Sequence, residues 1–402
     1  MALDRNEIAE RLRAARTDLG FTQAEVAEAL GVHRPTISEI EAGRRAVTGE
    51  ELHRLCELYA LPVSRLLSTD APTEPDVERV LFRTATMQGA PARRAVRQFM
   101  ERCRAEKELE ELLHVPHPDD ARPGYRAGQP EGKPQAIRQG YAIAEQERRR
   151  LDLGTEPLRN PLELLDRQGV RIGPLEGLGP DGPDGLYFET VELGACVAIN
   201  PERDRWTGFR SAFTAAHEYA HWLLRDTQVE EYQFYWEDRP KSDLREVRAN
   251  VFAAAFLMPR EGLRQYFAEA GLLDDHEMLP RLSKGDIVQA MDYFGVSRTA
   301  LLYRLQNAGL MDERTADELR DIRFSVTEVA DTLGIDFRGS GPFGTKLRSL
   351  ALKAWKKGLI STGRAAALFG QNIATFREQM TTIGEEQEET PEDPALGAAR
   401  KS

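Results

Sequence analysis

The sequence predicts a mainly α protein of the α+β class. Apolar residues recur at three- and four-residue spacing through most of the chain, as in Ile8, Leu12, Ala15 and Leu19, the period of a helix face. Three short stretches differ: Val170-Arg171-Ile172, Gly185 to Glu189 and Ala195 to Ile199 alternate or run apolar like strands, with Gly-Pro-Asp loops between them. Pro62, Pro72 and Pro75, and a Pro- and Gly-rich stretch at 116–134, divide the chain.

A chain of 402 residues is long enough for two or three domains with a sizeable core. Its charged fraction of 30% and hydrophobic fraction of 41% are ordinary for a soluble protein. The longest apolar run, Val251 to Met258, is eight residues, far below a membrane span. Asp4, Arg5, Glu7 and Glu10 occupy the place of a hydrophobic signal region, so a cytoplasmic location and no membrane partner are expected. Cys56, Cys103 and Cys196 are odd in number and widely spaced, which fits neither a disulfide framework nor a Cys-x-x-Cys metal site. A net charge of −12 excludes a chain built to coat nucleic acid, so any DNA contact must be local.

Residues 1–70 read as a bundle of short helices. The first ends at Gly20, and Thr22 with Glu25 forms a capping box for the second, which runs to Leu30. Gly31-Val32 makes a turn, and a third helix begins at His33-Arg34-Pro35 and ends near Gly43. Two short helices joined by a Gly-containing turn describe a helix-turn-helix. From Ala9 to about Leu67, through Gln23, Gly31-Val32, Ile37-Ser38, Ile40-Glu41 and Gly43-Arg44-Arg45, this stretch resembles the XRE/Cro type of repressor. The resemblance implies a five-helix domain that binds double-stranded operator DNA as a homodimer. His33, Arg34, Thr36 and Ser38 would then read bases, with Gln23, Arg44 and Arg45 near phosphate. Nine Arg against twelve acidic residues over 1–70 gives this domain a net charge of −3, so its DNA affinity depends on dimerisation or is modest. A helical module for protein contacts or an antitoxin-like regulator is the alternative.

Residues 71–133 are expected to be a helical connector and a Pro/Gly-rich linker, with Arg93, Arg94, Arg97, Arg102 and Arg104 on a solvated helix face. A domain over 134–310 follows. Its centre is Phe209 to Leu224, which contains His217-Glu218-Tyr219-Ala220-His221. Residues four apart lie one above the other on a helix, so two imidazoles face one point, where they can hold a divalent metal. Glu218 stands beside the first histidine, close enough to take a proton from water at that metal but turned too far to be a ligand. A catalytic zinc site needs a third protein ligand, and Glu246, opening an apolar helix, offers a carboxylate. Asn250 follows one turn later as a possible acceptor for a ligand imidazole N–H.

His217-Glu218-Tyr219-Ala220-His221, followed by Glu246, Ala249-Asn250, Phe252-Ala253-Ala254 and Leu257-Met258-Pro259, resembles the ImmA/IrrE family of bacterial zinc metallopeptidases. The resemblance implies Zn2+ on His217, His221 and Glu246, Glu218 as catalytic base, and a zincin-like core whose small sheet leads into the metal helix. It also implies a repressor of the XRE type as the cleaved protein, in a stress or mobile-element response. Arg248 stands where the pattern often has an acidic residue, and Phe256 where it has Leu.

An edge strand of such a sheet aligns an extended peptide, and Gly194 to Asn200 is the candidate; Tyr187, His276 and Tyr303 are candidate oxyanion donors. Ile287 to Leu305 repeats the helix, Gly-Val-Ser turn, helix signature, with packing against the core as its expected role. Residues 311–383 form a C-terminal helical region, and 384–402, rich in Glu, a disordered tail. The rival class is a non-proteolytic regulator or antitoxin whose zincin domain acts as a sensor.

Overall fold

The structure is a computed structural model. It describes residues 4–68, 89–115, 122–158, 160–182, 184–190, 193–204, 208–225, 243–337 and 343–388. The expected connector residues 71–88 and tail residues 389–402 lie outside these.

Met1–Arg104 and His117–Phe343 form one unit; Ala105–Pro116 and Gly344–Ser402 form another. The first begins with five helices, α1 (Arg5–Leu19), α2 (Gln23–Leu30), α3 (Arg34–Glu41), α4 (Gly49–Leu58) and α5 (Val63–Leu66). Asp4, Thr22 and Thr48 each close a capping box, which explains why such short helices start where they do. Leu12, Leu19, Val26, Leu30, Ile37, Ile40, Leu55 and Tyr59 are buried together.

Helix α6 (Ala90–Leu113) follows, and its first part packs against this core through Val96, Phe99 and Met100. The arginines expected on a solvated face do other work. Arg93 donates to the Asp18 carbonyl (3.0 Å), Arg94 to that of Glu57 (3.3 Å), and buried Arg97 to those of Ala15 (3.2 Å) and Tyr59 (3.4 Å). The last turns of α1 and α4 carry carbonyls without helical partners, and cations there also suit the helix dipole. Arg104 pairs with Glu101.

The sheet has the order β1-β3-β2, from β1 (Arg171–Pro174), β2 (Gly185–Thr190) and β3 (Gly194–Ile199). β1 runs parallel to β3, Ile172 opposite Val197, while β2 is antiparallel, Tyr187 opposite Val197. The expected edge strand, Gly194 to Asn200, is thus corrected: β3 is paired on both sides, and β2 is an edge. β3 is buried on both faces. Ala195, Val197 and Ile199 meet the core around the helix Phe209–Leu224, and Cys196 and Ala198 meet the side of α6, where Phe99 packs edge-on against Phe188 (5.9 Å).

Helices α7 (Lys133–Arg150), α8 (Pro161–Arg167), α9 (Phe209–Leu224), α10 (Leu244–Leu257), α11 (Arg260–Glu269), α12 (Lys284–Phe294), α13 (Arg298–Asn307), α14 (Glu313–Asp321) and α15 (Val326–Leu333) complete this unit. The second contains α16 (Thr345–Lys356), α17 (Thr362–Leu368) and α18 (Ile373–Glu388), with Leu347, Leu350, Ala351 and Ala354 packed on Ala105 and Leu109. Helix α18 runs through Glu388, so the helix continues into residues 384–388 where a disordered tail was expected. Among the described residues, no helix is long and apolar enough to cross a membrane.

Candidate metal centre

Helix α9 is buried along most of its length because it packs between the sheet and α10. Ala215, Ala216, Tyr219, Ala220, Trp222 and Leu223 join Val197, Ile199, Ala249, Phe252 and Phe256 in one core. That packing fixes the rotation of α9 and turns His217 and His221 to a common side. Helix α10 brings Glu246 opposite them. His217 Nε2 lies 3.1 Å from Glu246 Oε2 and 3.2 Å from His221 Nε2, and His221 Nε2 lies 3.4 Å from Glu246 Oε1. Asn250 Oδ1, one turn beyond Glu246, is 3.1 Å from His217 Nδ1, which fixes that ring and leaves Nε2 for a metal.

The donor set can be tested against zinc. Donors about 2.0–2.1 Å from a tetrahedral ion stand about 3.3 Å apart; the two imidazole nitrogens are 3.2 Å apart, and each lies 3.1 or 3.4 Å from a different oxygen of the Glu246 carboxylate. Two imidazoles and a carboxylate are also a donor set of catalytic zinc sites. Burial pushes the Glu246 carboxyl up, but hydrogen bonds from His217 and His221 and their charges outweigh it, holding the group well below the usual carboxylate range. The third donor is therefore an anion at neutral pH.

The site opens into a cleft of about 310 Å³ lined by Asp184, Gly185, Arg210, Phe213, Thr214, His217, Glu218, His221, Glu246 and Asn250. Glu218, 9% exposed, thus shares the cavity of the three donors. One wall is the start of β2. A side chain at Gly185 would come within 2.9 Å of Thr214 Cγ2 and 3.0 Å of the Ala198 carbonyl, so only glycine lets β2 and α9 approach this closely. Phe213 and Thr214, one turn before His217, and Arg210, two turns before, were discoverable by helical spacing. Gly185 read as the start of a strand and Asp184 only as part of the loop before it; Asp184 in fact pairs with Arg203 (2.9 Å) and with Arg210 at the mouth.

The expected oxyanion donors are not brought to the cleft. Tyr187 is buried with its hydroxyl on Glu189 (2.8 Å), His276 lies on an exposed turn, and Tyr303 is half-exposed beneath Arg320. Arg248, the departure from the family pattern, is buried and donates to the Gly128 carbonyl (3.2 Å) and Gln139 (2.9 Å), away from the donors. Beneath α9, fully buried Glu147 accepts from Tyr125, Tyr219 and Arg150. Arg122 donates to the Trp222 carbonyl (2.9 Å) and pairs with Glu189 (2.8 Å), tying the end of α9 to β2.

In the N-terminal domain, His33 and Arg34 are exposed at the start of α3, while Thr36 and Ser38 are half-buried. Gln23 donates to Glu41 (2.9 Å), which is held by Arg16 (2.6 Å); Arg45 pairs with Glu51 (2.9 Å), and Arg44 is exposed.

Residues 7–69 match the helix-turn-helix domain family, and residues 166–306 match the IrrE N-terminal-like domain of peptidase family M78. The chain joins an XRE-type helix-turn-helix domain to an IrrE-like peptidase-family domain. All three donors and Glu218 lie within the IrrE-like match. No curated protein matches the chain. Among solved structures, the crystal structure of ComR from Streptococcus suis is similar, with 13% identity over 96% of this chain and 92% of that one, at a TM-score of 0.16. A superposition that weak carries no argument about fold.

Proposed function

We propose that the chain is a zinc-dependent endopeptidase joined to a DNA-binding domain, and that it regulates transcription by cutting a repressor of the same class as its own N-terminal domain. The observation that carries this reading is the convergence of His217, His221 and Glu246 at 3.1–3.4 Å in a cleft that also holds Glu218. Zinc held by those three residues would supply a Lewis acid that polarises a peptide carbonyl and acidifies water. The chain's own groups do the rest. Asn250 orients the His217 ring, and the edge of β2 beside Gly185, unpaired among the described residues, aligns an extended peptide by strand addition. Glu218 takes the proton of the attacking water on a carboxylate oxygen and passes it to the leaving amine. The N-terminal domain binds operator DNA as a homodimer and brings the cleft to a repressor seated there.

The test is Glu218→Gln. Zinc content, fold and DNA binding should match the parent chain, while a discrete cut in a co-encoded repressor slows by about 100- to 10,000-fold, the usual worth of general acid–base catalysis. His217→Ala and Glu246→Ala should each lose zinc. If the Gln variant complements a deletion strain and neither chain yields a fragment by mass spectrometry, the domain is a sensor and the proteolytic reading fails.

A further inference from the structure

The second unit carries a helix-turn-helix of its own. Ser361 caps α17 through the Arg364 N–H, and nine residues later Gly370 takes a left-handed conformation with φ 69°. Thr22 caps α2, and nine residues later Gly31 does the same with φ 69°. In both, the residue after the glycine returns its N–H to a buried alanine carbonyl five positions back: Gln371 to Ala366 (2.9 Å) and Val32 to Ala27 (2.9 Å). In both, the sixth residue after the glycine is the apolar anchor of the second helix, Phe376 or Ile37, each buried. Phe376 seats on Ala365 and Ala366, edge-on to Trp355 (5.3 Å) and Phe369 (5.1 Å), so the two helices are locked as a pair.

Charge sets one stretch of this unit apart from the rest of the chain. Residues 344–377 hold seven Lys and Arg and no Asp or Glu, in a protein of net charge −12. Lys346 and Arg364 are paired with Glu106, Glu110 and Glu108 within the unit. Arg348, Lys353, Lys356, Lys357 and Arg377 are exposed and have no ion pair among the described residues; Arg348 lies over Phe369, beside the turn. The start of α18 presents Ile373, 46% exposed, with exposed Ala374 and Arg377. Apolar side chains of this kind meet thymine methyls, and Arg reads guanine.

We propose that Gly344 to Glu388 is a second binding site for double-stranded DNA, with α18 in the major groove and the Lys and Arg of α16 on phosphate. This site is independent of the cleft and of the N-terminal domain. Over residues 344–388, seven Lys and Arg against four Glu leave a net charge of +3, which supplies the phosphate-neutralising term that a net charge of −3 denies to residues 1–70.

The test uses the full chain carrying Arg34→Ala and Arg44→Ala, so that N-terminal binding is weakened, and a duplex of about 30 base pairs of arbitrary sequence. Fluorescence anisotropy across roughly 50 to 200 mM salt should show residual binding with a steep salt dependence. Adding Lys353→Glu, Lys356→Glu and Lys357→Glu should weaken it at least about ten-fold at low salt and flatten the log–log slope by about two to three. The Lys→Gln triple variant, with thermal unfolding checked, should shift both in the same direction and serves if the Glu variant does not fold. Unchanged affinity and slope in the folded Gln variant overturn the proposal. So does binding to single-stranded RNA or phosphatidylserine vesicles that exceeds binding to the duplex.

Discussion

Two stretches of this chain share one local signature and use it in opposite ways. In α2–α3 and in α12–α13 a helix ends at a left-handed glycine, Gly31 or Gly295, and a second helix follows with an apolar anchor six residues on, Ile37 or Leu301. The third residue after the glycine is Arg in both. Arg34 is exposed, whereas Arg298 stacks on Phe324 (4.5 Å) and donates to the carbonyls of Arg320 (3.3 Å) and Ile322 (2.6 Å). The seventh is Ser38 in the first and Leu302, fully buried, in the second. The signature therefore encodes a turn between two helices. What the pair does depends on whether the second helix keeps its outer face in water.

The largest effect that sharpens this comparison is expected at Leu302. Its side chain sits in the core that also holds α9, so Leu302→Ala should cost about 2–5 kcal/mol of stability, read as a fall in urea midpoint with little change in slope. A cost below about 0.5 kcal/mol would mean that α13 is not packed as a core element.

The opposite result is expected at Arg34. Arg34→Ala should leave the urea midpoint unchanged and weaken binding to the preferred operator by about 1–3 kcal/mol, if the guanidinium reads a guanine. Equal loss on all duplexes would move Arg34 from a base to a phosphate. Loss of stability instead would erase the distinction between the two helix pairs.

These contrasts also mark what the sequence could convey. The donors were legible because their signal is local: His217 and His221 are four apart on one helix, and Glu246 and Asn250 repeat that spacing on another. The class of the fold was legible for the same reason, from periodicity and caps. Strand order was not, because β3 pairs with β1 in parallel across the β2 segment, and nothing in Gly194 to Ile199 distinguishes a central strand from an edge except its even burial on both faces. The arginines of α6 read as solvated because their partners are backbone carbonyls of α1 and α4, which leave no trace in side-chain identity. Tyr187 looked available to a substrate, and a glutamate two residues along its own strand takes its hydroxyl.

The smallest expected effect compares the cores beneath the two functional regions. Each buries a tyrosine near a glutamate. Tyr219 donates to Glu147, while the Tyr59 hydroxyl has no hydrogen-bond partner among the described residues. Tyr219→Phe should therefore cost about 1.5 kcal/mol at pH 7, as loss of a bond to a charged acceptor, and Tyr59→Phe should be neutral or slightly stabilising. Alkali provides the second reading. Burial, and then Glu147, raises the Tyr219 phenol; burial, and then Glu41, raises Tyr59. An unfolded phenol ionises near 10, so above that pH the unfolded chain binds fewer protons than the folded one. The stabilisation is present in full below about pH 10 and is lost as pH climbs toward the folded values. Urea midpoints of the parent chain should fall from pH 9 to about 11, and each Phe variant should fall less steeply. A Tyr59→Phe variant as unstable as Tyr219→Phe at pH 7 would show that the Tyr59 hydroxyl is bonded after all, and that the two cores hold their tyrosines in the same way.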